Sequence, residues 1–502
     1  MNMSAIAASL WDFHYRLQYR LQETGLRLWR DARVRRGVLF LVLAAFGAFW
    51  GALTAFTGGA GLLLFIVAFS MVLILRDFRV GVAIMILIMP IAQSYAFPHE
   101  MFGITGLNPL NLLLMATLGV YFMRAVGSKS LRHFVPKPLF LLFIVPMIVG
   151  AALGAPHASE IPAIFREFDL IFFNDPVGYI RDMFMKPMTF VIFALLVAAA
   201  VWRSRKPERF ITPLLVAMWI MAGLVVGFLL TSGLGITALA GTYNRSLLDP
   251  LGMHANDVAR LFVIGYAMLL FMWDRTRHLT LKLVLFISMG FMTGALIVTF
   301  SRGGWVGWVL VNVIYLMSRR NWKVVALAAL ALPVFVAFLP GAVYDRIEAG
   351  SGKGADGVTA GRTNLIWEPL MPEMFDHPVI GRGLGAVMFS NAMKQEALPP
   401  VSHPHNAFLE AYLDLGIVGL VVLLAYWTTV WRNLRRLGRD ERVHPNLRGL
   451  FEGAAAGLVS FIVAGFAGSS LMPVGEQVFL WFAVGAMYGM NLRLKYGSRE
   501  GA

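Results

Sequence analysis

Apolar residues in this chain fall in long unbroken runs, not in the strict alternation of strands or the three-four rhythm of soluble helices. Runs long enough to cross ~30 Å of hydrocarbon occupy 37–55, 59–75, 80–96, 107–123, 139–154, 187–202, 211–230, 258–273, 283–300, 304–318, 324–340, 409–431, 450–469 and 476–492. They predict an all-α polytopic membrane protein with about 12–14 transmembrane helices. Ahead of them, WDFHYRLQYRLQETGLRLWRDARVRR is basic and lacks the pattern of a signal peptide. It reads as an amphipathic segment, 1–36, lying on the cytoplasmic face.

The polar residues between the runs orient them. Cytoplasmic connections collect Lys and Arg. With both termini inside, the inner connections hold 32 of the 43 basic residues and 10 of the 28 acidic ones. The inner side is then +22 and the outer side −7. One missed or invented span would move every later connection to the wrong side and destroy this asymmetry. The resulting organisation is a transmembrane bundle over 37–340 with outer loops 155–186 and 231–257, a large outer loop 341–408, C-terminal spans over 409–492 and an inner tail 493–502. In the first outer loop, apolar residues of AIFREFDLIFFNDP recur at helical spacing, predicting an interfacial helix that ends in a turn at NDP.

Composition agrees and removes other classes. The 502 residues are 58% hydrophobic and 14% charged, against roughly a quarter charged in soluble domains. The net charge of +15 is an orientation signal, so nucleic-acid binding is not needed to explain it. Without cysteine, disulfides, thiolate metal sites and Cys nucleophiles are excluded. No HExxH, DxD, Walker, kinase or Gly-x-Ser-x-Gly pattern occurs, so neither a metal nor another cofactor is called for.

Eleven basic residues remain on the outer side: Arg166, Arg181, Lys186, Arg245, Arg260, Arg302, Arg346, Lys353, Arg362, Arg382 and Lys394. Arg302 interrupts two apolar runs in ALIVTFSRGGWVGWVL. It is either an arginine reaching to the interface or an anion site, since a guanidinium suits phosphate oxygens. Arg362 opens the folded part of the large loop and Arg382 lies in GRGLG; each is a candidate or a solvated loop charge. Arg245, His254 and Arg260 stand in the second loop with the same two readings. In SHPHNAFLEAYLDLGIVGL (402–420), Pro404 predicts a helix starting at His405. Asn406, Glu410 and Asp414 then share one face. A neutral imidazole at that mouth can accept a proton. His403 has no helical position to recommend it.

These residues resemble those of a known superfamily. His405-Asn406, nine residues, Gly416, two residues, Gly419 fits the pattern H[NSQ]-x9-G-x-x-[GTY] of the O-antigen ligase and Wzy-type polysaccharide polymerase superfamily. TFSRGGWVG resembles its arginine-bearing segment, and GRTNLIW…DHPVIGRGLG its large-loop run; the order Arg302, Arg362, His405 matches. The ligases' R-x3-L is here R-x3-V, with Val306. The resemblance covers about residues 210–470. It implies a glycosyltransferase of the C type that is metal-independent and inverting. The donor it implies is a glycan on undecaprenyl diphosphate, presented at the periplasmic face of the bacterial inner membrane. The acceptor is lipid A–core for a ligase or a second lipid-linked glycan for a polymerase. His405, Arg362 and Arg302 would be catalytic. Substrate contacts would come from Arg302 and Arg362, then Arg382, Arg245, Arg260, Arg166, Arg181, Lys186 and Asn406. A transporter would instead need broken helices and repeat symmetry, and no repeat is visible.

Overall fold

The computed structural model describes residues 40–497 except 42–43, 53–54, 56–58, 96, 102–103, 107, 127–130, 234–247, 320–358, 360 and 469. The segment 1–36, the run 324–340, Arg245, Arg346 and Lys353 lie outside the described residues. The chain divides into a unit ending at Leu73 and a unit from Ile74 onward, and all that follows concerns the second, apart from the start of the first helix.

The chain is all-α and polytopic. In order, the helices are α1 (Gly59–Arg76), α2 (Phe78–Ile88), α3 (Pro109–Ala125), α4 (Lys137–Glu160), α5 (Pro176–Arg203), α6 (Pro207–Thr231), α7 (Ala255–Arg275), α8 (Leu279–Val298), α9 (Arg302–Arg319), α10 (Ala407–Arg439), α11 (Pro445–Ala464) and α12 (Val478–Tyr496). Among the described residues, α4, α5, α6, α7, α8, α10 and α11 are long and apolar enough to cross a membrane. Among the described residues, extended structure is limited to a two-residue antiparallel pairing, β1 (Glu100–Met101) with β2 (Ile104–Thr105), and an isolated bridge between Phe466 and Gly468.

Local sequence explains the starts. Asn108, Asp175, His254, Asn406 and His444 each accept from a backbone N–H of the first turn, and Pro follows directly in three of them. Among the described residues, three wide π-turns occur, at Phe140–Ile144, Arg181–Met185 and Thr363–Trp367. Each ends two residues before a proline: Pro146, Pro187 and Pro369. Proline has no N–H and crowds the carbonyl four residues back, so the extra residue in the turn lets the helix continue. This corrects two expectations. The loop expected at 155–186 shrinks, because α4 runs to Glu160 and α5 starts at Pro176. The interfacial helix is only Ile164–Glu167, and the chain then turns at Asp169, whose φ is 54°.

Small residues set the packing. Gly449, Gly453 and Gly457 line one face of α11, where an added Cβ on the first two would meet Met272 Cα at 2.6 Å and Ala267 O at 2.3 Å. The backbones of α7 and α11 therefore touch, the small-residue solution for helices that lack a hydrophobic drive to associate in lipid. Gly485 and Gly489 of α12 meet the Ala194 and Ala198 carbonyls of α5 in the same way. Nearly every residue of α7 from Val258 to Met272 is buried, which places it at the centre of the bundle.

α10 departs from regularity. At Gly416 the backbone leaves the helix (φ 66°, ψ −173°). Segment 378–386 of the large loop fills the break. Arg382 N and Gly383 N donate to the carbonyls of Leu413 and Asp414, while Ile417 N and Val418 N donate to the carbonyls of Pro378 and Val379. Leu384 N also donates to Gly150 O of α4. The carbonyls of Leu413 and Asp414 and the N–H groups of Ile417 and Val418, freed by the break, thus find partners, which non-helical backbone near a membrane requires.

Candidate active site

The TFSRGG break is where the sequence put it. α8 ends at Val298, Phe300 takes φ 47°, and α9 begins at Arg302. Ser301 Oγ accepts from Gly304 N and donates to Asn256 Oδ1, at 3.2 and 2.9 Å, so the N-terminus of α9 lies beside that of α7. Gly304 then packs on Ala259, and Arg302 is carried to the mouth of the bundle.

Arg260, on α7 six residues after the capping His254, is buried. Its Nε donates to Glu476 Oε2 at 2.6 Å and its Nη2 to Asp257 Oδ1 at 2.5 Å. Glu476 belongs to the segment entering α12. Gln477 anchors that segment by donating to the Ser470 and Met472 carbonyls, and Trp427 Nε1 donates to Leu471 O. Arg362 Nη1 donates to Ala467 O at 2.5 Å. A Cβ added to Gly468 would lie 3.5 Å from Arg260 Nη1 and 3.8 Å from Arg362 Nη1, so both guanidinium groups face one glycine. Burial, with Arg260 and Arg302 as neighbouring cations, draws the Arg362 guanidinium below its ordinary pKa.

His405 completes the cluster, and its backbone corrects an expectation. The helix does not start at His405. Asn406 is the cap, its Oδ1 accepting from Phe408 N and Leu409 N at 3.1 and 3.2 Å, and α10 begins at Ala407. His405 sits outside with φ 53°. Trp367 Nε1 donates to Pro404 O at 2.8 Å and Ala407 N to Gly465 O, holding the turn from two sides. Burial first, then His403, Arg362, His254 and Arg260, push the His405 imidazole down to about 3. It is neutral at physiological pH.

His403, set aside by sequence reasoning, belongs here. Its ring packs edge-on to that of His405, centroids 4.2 Å apart. Its Nδ1 is buried without a hydrogen-bond partner among the described residues. Burial lowers its pKa, with Asp257 opposing and Arg260 and Arg362 adding to the effect. No helical period passes through position 403, so the only sequence signal was its place two residues from His405. Asp257 and Glu476 were missed too; the latter lies 216 residues from Arg260 in sequence.

Other candidates have other partners. Asn406 commits its carboxamide oxygen to the cap. Arg382 pairs with Glu373 at 2.9 Å and lies over the Phe389 ring, bracing the large loop. Arg181 and Lys186 share Asp182, each at 2.9 Å. Arg166 is exposed on its short helix. The glycines of GRGLG serve close approach: Gly381, Gly383 and Gly385 have φ of 68°, 109° and 69°, and the first two lie against the backbones of α10 and α4. Asp414, expected on the face behind His405, accepts from Gly385 N and Ala386 N. Glu410 is bonded to Ser470, with its Oε2 buried and unpartnered among the described residues.

The arrangement therefore offers Arg362 and Arg302, whose charges no carboxylate of the described residues neutralises by an ion pair, and Arg260, held by two. Two neutral imidazoles stand beside them. A narrow cleft lined by Arg260, Gly303, Gly304, Gly307, Ser460 and Ala464 lies between α7, α9 and α11. Such a site suits an anion with spread charge next to a group that gives up a proton. Residues 287–424 match the family model described as O-antigen ligase. The chain is also similar to the O-antigen ligase of Salmonella typhimurium (strain LT2), 21% identical over 355 residues that cover 66% of this chain and 78% of that protein.

Proposed function

We propose that the chain, whose match to the O-antigen ligase family model and similarity to an O-antigen ligase support the reading, transfers a polysaccharide from undecaprenyl diphosphate to lipid A–core at the periplasmic face of the bacterial inner membrane. The observation that carries this reading is the meeting of Arg260 and Arg362 at Gly468 beside the His403–His405 pair. The donor diphosphate binds at Arg302, Arg362 and Arg260. His405 accepts the proton of the acceptor hydroxyl as its oxygen bonds to the anomeric carbon. The anomeric C–O bond to phosphate breaks on the opposite face, inverting the configuration, and undecaprenyl diphosphate leaves with the bonding pair. Charge developing on that leaving group falls on the guanidinium groups, which supply the stabilisation without a metal ion.

Diphosphate also changes the base. Arg362 and Arg260 disfavour the imidazolium in the empty site. An anion bound to them reverses the sign of the local field, so His405 becomes basic when donor is present.

The test is transfer by purified protein given a lipid-linked glycan with and without lipid A–core. Product on core, lost in His405→Asn, supports the ligase. Chain growth without core overturns it in favour of a polymerase that uses a second lipid-linked glycan. Substrate transport at wild-type rate by His405→Asn, with no covalent product from either protein, overturns glycosyl transfer altogether.

A further inference from the structure

The large loop was expected to lie wholly outside the membrane. Its backbone says otherwise between residues 378 and 385, where it bonds to two membrane-spanning helices: to α10 on both sides of Gly416, and to Gly150 of α4, ten residues short of that helix's outer end. At Gly416 an added Cβ would meet Val379 O at 2.2 Å, and at Gly383 it would meet Gly154 N at 2.1 Å. No layer of water separates these backbones.

Beside this segment lie uncovered apolar side chains, with Asp376 and His377 exposed between them. Phe375 is 79% exposed, Val379 56% and Ile380 53%. They adjoin Ile417, Val418 and Val421 of α10, which are also exposed. Those three begin the exposed face of the apolar stretch IVGLVVLLAYW, whose other face, with Leu423, Tyr426 and Trp427, is buried in the protein. Soluble surfaces do not leave such a strip bare, and this one continues a surface that already meets lipid.

We propose that Phe375, Val379 and Ile380 insert into the hydrocarbon of the outer leaflet, so that the large loop is a membrane-dipping element that fixes the height of the site. Nine residues of α10 separate Ala407 from Gly416, ~14 Å along the axis. The polar layer on each side of the hydrocarbon is roughly 5–8 Å thick. With Val379 and Ile417 just inside the hydrocarbon and α10 along the membrane normal, His405 stands roughly 6–9 Å beyond the headgroup layer. A lipid-linked diphosphate at the headgroups then presents its glycan outward, toward that level. This last step rests on the proposed function; the insertion itself does not.

The absence of cysteine makes the test clean. Phe375→Cys, Val379→Cys and Ile380→Cys, with Gln395→Cys as the exposed control in the same loop, are labelled with a fluorophore and reconstituted in vesicles containing acyl-brominated lipids. The expected result is quenching of the labels at 375, 379 and 380 at least severalfold stronger than at 395. Before labelling, the same three thiols resist a membrane-impermeant maleimide while that at 395 reacts. Fast reaction with the maleimide and no bromine quenching at 379 and 380 overturns insertion. Protection without quenching overturns it as well, because protein, such as a second copy, then covers the strip. Both readouts are independent of catalysis, so loss of transfer by wild-type protein would overturn the function and leave the depth measurement standing.

Discussion

His405 occupies the left-handed region immediately before the cap of α10, and this decides which substitutions inform. Alanine tolerates that region less well than His, Asn or Asp, so it mixes strain with lost chemistry. Asparagine tolerates the conformation and removes the base, so His405→Asn isolates the proton acceptor. The same position sets a pH dependence. Imidazole titrates near 6.5 in the unfolded chain and at about 3 in the fold, so the unfolded chain binds the extra proton first. Stability from the neutral ring is complete above ~6.5 and is lost as pH falls toward 3. Melting of the donor-free protein should therefore shift upward between about pH 4 and pH 7, and His405→Asn should show a smaller shift. His403, lowered in the same direction, contributes the remainder, so a His403→Phe, His405→Asn protein should be flatter still.

At the scale of elements, the decisive feature is the rung of loop set into the break of α10. Gly416→Ala and Gly383→Ala each add a Cβ to a left-handed residue and drive it against backbone. Each should cost at least ~2 kcal/mol, seen as a large fall in the thermal midpoint of the purified protein. Gly290→Ala, in the interior of α8 with nothing within 4 Å of the new Cβ, should be neutral or stabilising by ~0.5–1 kcal/mol. These glycines also mark how far the sequence could be read. The break at Thr299–Ser301 was legible because Arg302 and paired glycines interrupt an apolar run. The H-N…G…G spacing was legible as a pattern, but Gly416 as the point where another strand of chain enters was not. Nothing local to 416 names residues 378–379 as partners. The π-turns were hidden for a related reason: Pro146 and Pro187 sit inside apolar runs, where composition predicts a span and is silent on the extra residue. The wrong start for α10 came from weighting Pro404 over the stronger cap two residues later.

At the scale of the molecule, charge accounting singled out the arginines expected outside, yet ranked Arg260 among the weaker ones. Its rank depended on Glu476, which no spacing rule connects to it. Glu476→Leu leaves Arg260 buried with Asp257 alone and should raise the donor KM by about tenfold or more, since a broken buried pair costs ~3–5 kcal/mol. Glu476→Gln, which keeps a hydrogen-bond acceptor at that place, should recover much of the loss. Kinetics with lipid-linked glycan measure both; equal KM for all three proteins would remove Glu476 from the site.

The same pair has a consequence for biogenesis. α7 is synthesised and inserted long before Glu476, one of the two carboxylates that hold its arginine, because Arg260 and Glu476 are separated by 216 positions. The rung of loop in α10, by contrast, joins residues some thirty apart and is already across the membrane when α10 emerges. Scaffold thus precedes site. A nascent or truncated chain lacking the segment before α12 has its spans but an undirected Arg260, so transfer competence arrives only as synthesis nears its end.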